Sequence, residues 1–170
     1  MKNFKLAVLA SALVASGSVM AAQDGTLGLS SEGESLVTII KENAVQITNV
    51  ADLDLGTHAT LAADQSANDD VCVFNSTAAY KITVSSANGA FVLKDGAEEI
   101  PYAVAWAANG GAAVPLAHGA ALGGLAGDQA SLDCNAGTNA NFSATVASAD
   151  FNAAAPGTYT DTLTLLVEPE

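Results

Sequence analysis

The amino-acid sequence predicts an all-β protein, an antiparallel β-sandwich of about seven strands. Short alternating stretches rich in β-branched and aromatic residues recur at a spacing of about ten residues. Asn-Gly, Asp-Gly and Pro-Gly pairs stand between them as turn signals. No stretch carries the repeat of a long amphipathic helix.

Residues 1–21 read as a secretory signal peptide. Lys2 and Lys5 form a basic start, Leu6 to Val14 a short apolar run, and Ser16 to Ala21 a small-residue cleavage site. The run is too short for a membrane span, and no other stretch is long and apolar enough for one, so no membrane insertion is expected. Residues 22–40 form an expected N-terminal arm. Leu27, Leu29, Gly33, Val37 and Ile39 share one parity with Ser31 and Ser35, which predicts an extended segment, a strand over much of its length. Residues 41–170 are the expected sandwich domain, large enough for a real core.

Within that domain Ala44 to Val50 alternates and Asp52-Leu53-Asp54-Leu55-Gly56 ends in a turn. Residues 57–70 read as a polar loop. Val71–Phe74, Tyr80–Ser85, Phe91–Leu93 and Ile100–Trp106 read as strands, with turns at Asn88-Gly89 and Lys94-Asp95-Gly96. Residues 109–128 are Gly/Ala-rich, a loop with one weak strand near Ala120–Leu125. Asn139–Ala147 alternates again, and Ser148–Ala155 suits one helical turn.

The last stretch, Gly157 to Val167, is the most regular. Tyr159, Leu163, Leu165 and Val167 fall on one face, and Thr158, Thr160, Thr162 and Thr164 on the other. A strand this apolar belongs inside a sheet, yet only Glu168-Pro169-Glu170 follow it. Its second side is expected to be covered by an earlier segment or by another molecule.

Charge narrows the function classes. The chain carries a formal charge of −13 and no arginine; without Lys2 and Lys5, three lysines face 18 acidic residues, which gives −15. Such a surface repels nucleic acid and anionic lipid. Cys72 and Cys134 are the two cysteines. In an exported chain such a pair is expected to form a structural disulfide.

Reactive constellations are missing from the sequence: there is no GxSxG, HExxH, CxxC or phosphate-binding glycine loop. His58 and His118 stand singly in loop contexts. Asp64 to Asp70 offers oxygen ligands without the glycine and distal glutamate of a calcium loop. Glu98-Glu99 would point to opposite faces of a strand, a poor acid/base pair. Tyr102 and Trp106 suit a core better than a sugar platform. Asn75 and Asn141 sit in glycosylation-type triplets. No catalytic, cofactor or metal site is expected, and the chain is not expected to be an enzyme.

Gly157-Thr158-Tyr159-Thr160-Asp161-Thr162 and its apolar tail resemble the closing strand of spore coat protein U domains, subunits of archaic chaperone–usher pili and related surface fibres. Val71-Cys72-Val73, Tyr80 to Ser85 and Ile100 to Val104 stand in the order that family gives comparable strands. The resemblance covers about residues 25–168. It implies a pilin-like, Ig-like sandwich lacking one strand, which a periplasmic chaperone and then a neighbouring subunit's arm supply. Leu27, Leu29 and Gly33 would be donated, and Tyr159, Leu163, Leu165 and Val167 would line the acceptor groove. The implied partners are further copies or related subunits in a head-to-tail fibre, a chaperone and an outer-membrane usher. The implied route runs through the periplasm to the cell surface, with a role in adhesion or biofilm. The alternative is a self-contained secreted binding module, for carbohydrate or a surface ligand, using loops 57–70 and 107–119 with the arm folded into its own domain.

Overall fold

The computed structural model describes residues 22–170; the expected signal peptide lies outside the described residues. The chain divides into two units, with the boundary between Lys41 and Glu42.

In the first unit, residues 22–41 form no strand. A single antiparallel bridge joins Gln23 and Glu34, with backbone bonds of 3.1 and 2.9 Å. Leu27, Leu29, Val37 and Ile39 are almost fully exposed. The expected strand is therefore not observed. Alternation gives a segment two faces, but a ladder also needs a partner, and extended chain without one has nothing to hold it.

The second unit contains nine strands, one 3-10 turn and one short helix. In chain order they are β1 (Val45–Thr48), β2 (Gln65–Asn75), β3 (Tyr80–Ser86), β4 (Val92–Asp95), β5 (Glu98–Ala108), β6 (Val114–Leu116) and β7 (Ala121–Leu125). The turn at Cys134–Ala136, β8 (Ala140–Val146), α1 (Ser148–Ala153) and β9 (Leu163–Pro169) complete it. All strand pairings are antiparallel. The larger sheet runs β1-β2-β8-β5-β4, with β6 also on β5; the smaller is β7-β3-β9. The architecture is the expected β-sandwich.

Period-two patterning builds the core. Tyr80, Ile82 and Val84 on β3, Ile100, Tyr102, Val104 and Trp106 on β5, and Ala140, Phe142, Ala144 and Val146 on β8 are all buried. Their neighbours of opposite parity are more exposed. The Trp106 indole N–H donates to the Tyr80 hydroxyl at 3.2 Å, so the one tryptophan joins the sheets inside the core and is no sugar platform. The β4–β5 hairpin turns through Gly96-Ala97, where Gly96 has φ +62, the left-handed geometry a two-residue hairpin loop requires. Cys72 and Cys134 form a disulfide with Cα atoms 5.9 Å apart, tying β2 to the turn before β8.

Three expectations need correction. Residues 65–70 are strand, not loop: their acidic and amide side chains lie on β2 opposite β8. The Asn141 amide donates to Asp70 at 2.8 Å and to Asn68 at 3.2 Å. Polarity alone does not mark a loop, because an exposed face of an antiparallel sheet tolerates it. The Gly/Ala-rich region holds two strands, β6 and β7. The last strand starts at Leu163 and includes Glu168 and Pro169. Before it, Thr160 bridges to Lys94 of the larger sheet's β4, with bonds of 3.0 Å in both directions. The closing stretch thus crosses from one sheet to the other between Thr160 and Leu163.

Candidate functional site

The smaller sheet has three strands against a five-strand path in the larger one. That mismatch leaves the inner face of β4, β5 and β8 incompletely covered beside β9. A cleft of about 410 Å³ opens there. Leu93, Tyr102, Phe142 and Ala144 form its floor, with Val50–Leu53 and Leu55 along one side and Asp161–Leu163 and Leu165 along the other. A second cleft, of about 560 Å³, lies against Leu53–His58 and Gly157–Asp161 over Ile100, Val146 and Phe151. Leu53, Leu55, Leu93 and Asp161 line both, so the two clefts run into one furrow.

The β9 wall presents unpaired backbone. Ala87 N–H donates to Thr162 C=O at 2.9 Å, and Glu170 N–H to Ala79 C=O at 2.8 Å. In an antiparallel ladder alternate residues exchange both bonds with one neighbour. The even-numbered residues of β9 therefore face β3, and the N–H and C=O groups of Leu163, Leu165 and Val167 point the other way. Among the described residues no strand pairs with that edge. The side chains of Tyr159, Leu163, Leu165 and Val167 pack, half-buried, against the core. Backbone donors and apolar side chains are thus offered together along one edge.

The opposite wall supplies side chains without a ladder. Leu53 and Leu55 pack on the core, yet residues 50–58 form no strand. Ala51 N–H donates to Asp69 Oδ2 at 2.7 Å and Gly56 N–H to Asp54 Oδ1 at 2.7 Å. His58 Nε2 bonds the Leu55 carbonyl at 2.9 Å.

Asp161 stands where the two clefts meet. Its Oδ2 accepts from the Tyr102 hydroxyl at 2.6 Å and from Ser86 Oγ at 2.7 Å; its Oδ1 accepts from Thr162 N–H at 2.7 Å. Two strands, β5 and β3, and the backbone of the next residue thereby hold the carboxylate at the crossing point between sheets. Burial raises the Tyr102 hydroxyl well above the ordinary phenol range, and the hydrogen bond to Asp161 and its charge push the same way. The Tyr159 hydroxyl is also raised, by desolvation first and then by the charges of Glu98 and Asp95.

The remaining sequence candidates do not converge. Asp64 Oδ1 accepts from Ser148 N–H, Asp69 from Ala51 and Asp70 from Asn141, so these carboxylates serve separate neighbours. Among the described residues no cluster of three metal-ligating side chains occurs. Glu99 pairs with Lys94 across the β4–β5 hairpin at 2.8 Å. Asn75 is fully buried, its amide donating to the Thr77 carbonyl at 3.0 Å, which removes it as a glycosylation acceptor. His118 is not merely solvated: its Nε2 accepts the Ser86 N–H at 3.0 Å. Leu53, Leu55, Leu93, Phe142 and Asp161 were not singled out from the sequence. The Leu53/Leu55 alternation was a visible signal; the positions of Leu93 and Phe142 on the cleft floor depend on strand order.

Neither a family model nor a curated protein sequence matches the chain. Among solved structures it is similar to a chain from a chaperone–tip adhesin complex described as vital for synergistic activation of CFA/I fimbriae biogenesis. The TM-score is 0.52 at 19% identity, over 74% of this chain and 42% of that one. The protein therefore spans less than half the length of that neighbour, and the likeness is one of fold, a β-sandwich.

Proposed function

We propose that the protein is a structural subunit of an exported surface fibre, completed by a strand donated from the arm of another copy. The single observation that carries this reading is the β9 edge, where unpaired backbone groups lie beside an apolar furrow floored by the opposite sheet. Strand addition satisfies both at once: main-chain bonds pair with the edge, and alternate side chains enter the furrow. The arm has the matching alternation at Leu27, Leu29 and Gly33, and its leucines are exposed. Each leucine buried by insertion contributes about 1.5–3 kcal/mol. Because donor and acceptor are different surfaces, the contact repeats head to tail and grows a fibre. Before assembly a periplasmic chaperone occupies the edge, and an usher exports the subunits to the cell surface, where the fibre serves adhesion.

The test separates assembly from folding. Leu29→Asp places a carboxylate in the neighbour's furrow, which is strongly unfavourable. Polymer mass by light scattering should fall by about 100-fold or more, while the urea midpoint of the sandwich stays unchanged. Unfolding of the single protein by this substitution would place the arm in its own core, and the self-contained binding module would be the better account.

A further inference from the structure

We propose that Asp161 sets the register of the donated strand, receiving Ser31 of a second copy where the two halves of the furrow meet. This inference rests on the strand-insertion reading above.

Asp161 is the one carboxylate that lines both clefts; Asp52 lines the first alone and Asp54 the second alone. Asp161 borders both clefts and is held by Tyr102, Ser86 and the Thr162 N–H, so it cannot swing aside without breaking three hydrogen bonds. A carboxylate has about four acceptor positions, so one remains for an incoming donor. A large apolar side chain laid over it would remove water from that position and give nothing back. A second carboxylate would meet like charge. A small hydroxyl residue satisfies the site.

The arm's inward parity has that design. Leu27, Leu29, Ser31, Gly33, Ser35, Val37 and Ile39 carry no charge, whereas Glu32 and Glu34 fall on the other parity and stay in solvent. With Ser31 opposite Asp161 in an antiparallel pairing, Leu29 meets Leu163 and Leu27 meets Leu165. Gly33 then falls opposite Tyr159, whose hydroxyl is anchored to the Ala155 carbonyl at 2.9 Å and whose ring needs the space a glycine leaves. One competing register places Lys41 opposite Asp161, with Ile39 and Val37 on the leucines. Only residues 42–44 would then separate the inserted strand from its own β1, four Cα steps and about 13 Å of extended chain. That is little more than the separation of two packed sheets, about 10 Å, so two sandwiches would be forced close together.

The experiment measures binding of a labelled peptide of residues 26–35 to the full chain by fluorescence anisotropy. Ser31→Asp in the peptide should weaken binding by about 100-fold or more through like-charge repulsion. Ser30→Asp, on the solvent parity, should change it by less than about threefold. Asp161→Asn keeps an acceptor oxygen for Tyr102 and Ser86, and should restore the Ser31→Asp peptide to within about tenfold of the original. Should that protein variant fail to fold, the Ser30/Ser31 contrast on the unsubstituted protein decides alone. Equal effects of Ser30→Asp and Ser31→Asp overturn the register while leaving the furrow as the acceptor. So does tight binding of a peptide of residues 34–44 that Lys41→Glu abolishes. If neither unsubstituted peptide binds, the strand-insertion reading itself falls, and the register with it.

Discussion

The two edges of the smaller sheet are treated in opposite ways. At one edge, β7 is short, mostly exposed and glycine-rich. Its register with β3 shifts between Tyr80 and Ile82, and Gly124 has φ +71. The Glu170 carboxylate accepts the Gly124 N–H at 2.7 Å. An irregular strand, a left-handed glycine and a nearby carboxylate all discourage pairing with a further strand. At the other edge, β9 runs in unbroken register from Leu163 to Pro169 and backs onto an apolar furrow. Exposed strand edges are hazards that proteins usually blunt. β7 is blunted along its length, whereas β9 carries only Pro169 at its far end and leaves the backbone groups of Leu163, Leu165 and Val167 open, which is the contrast the strand-insertion proposal requires.

The largest effect expected from any substitution leaves that contrast intact. The Cys72–Cys134 bond belongs to β2 and the turn before β8, away from both edges. It closes a loop with a sequence separation of 62 residues. The chain-entropy model gives it about 4 kcal/mol. The double substitution of both cysteines by alanine should lower the unfolding free energy by that amount in urea titrations. A protein that still folds should keep a receptive β9 and an unreceptive β7. Loss of peptide uptake in such a folded variant would show that the furrow depends on the disulfide, and the edge contrast would lose its meaning.

Amide exchange reads the edges directly. In the protein alone, the N–H groups of Leu163, Leu165 and Val167 should exchange quickly and those of Thr164, Leu166 and Glu168 slowly, an odd–even alternation fixed by the ladder. Adding the 26–35 peptide should slow Leu163 and Leu165 by about 100-fold, which corresponds to about 2.7 kcal/mol of local protection, and leave Val167, whose partner in that register would be residue 25, unchanged. Exchange at β7 should not change. Protection appearing at Ala121–Leu125 instead would move the acceptor to the other edge.

Much of this was legible in the sequence, and the limits have physical causes. Buried strands such as Tyr80–Ser86 and Ala140–Val146 declare themselves because one face must be apolar along its whole length. The first half of β2 does not, because Asn68 and Asp70 lie on a wet face and find partners on β8. The parity of Leu163, Leu165 and Val167 was readable, and with it half of the candidate furrow. Its floor was not: Leu93, Tyr102 and Phe142 come from three strands brought together by pairing, and period-two patterning is silent on strand order. Asp161 escaped notice for a related reason. It sits on the apolar parity of the closing stretch, where an acid makes sense only once Tyr102 and Ser86 are seen donating to it.

Alkaline titration probes the furrow floor through Tyr102. An unfolded tyrosine ionises near pH 10, and that of Tyr102 lies higher in the folded protein because of burial and Asp161. The sign follows from linkage: with the folded value raised, the stabilisation is complete below about pH 10. It is lost as pH climbs from there toward the folded value. The loss should approach about 1.4 kcal/mol per pH unit for such a tyrosine. Tyr80, raised by burial despite its bond from Trp106, adds in the same direction. Tyr102→Phe should flatten part of the slope in urea midpoints taken at successive pH values. An unchanged slope would mean that Tyr102 is not shielded, and that the furrow floor is wetter than its packing implies.

The smallest effect tests whether the two faces of β9 act independently. Lys81 and Glu168 form a cross-strand pair between β3 and β9 at 3.3 Å, with 35% and 44% of their side-chain surfaces exposed. Lys81 has the opposite parity to the buried Tyr80, Ile82 and Val84, so the pair lies on the outer face, behind the strand that borders the furrow. Partly exposed cross-strand ion pairs contribute about 0.2–1 kcal/mol and are screened by salt. Lys81→Ala should therefore lower stability by no more than that at low ionic strength, with the difference shrinking in 1 M salt, where the Debye length is about 3 Å. Peptide uptake should be unaffected, because inserted side chains meet the inner face and the new backbone bonds lie at the edge. A change in uptake beyond about threefold would mean that β9 is positioned by its outer pair. The receptive edge would then be a property of the whole β3–β9 ladder, held partly from its solvent face.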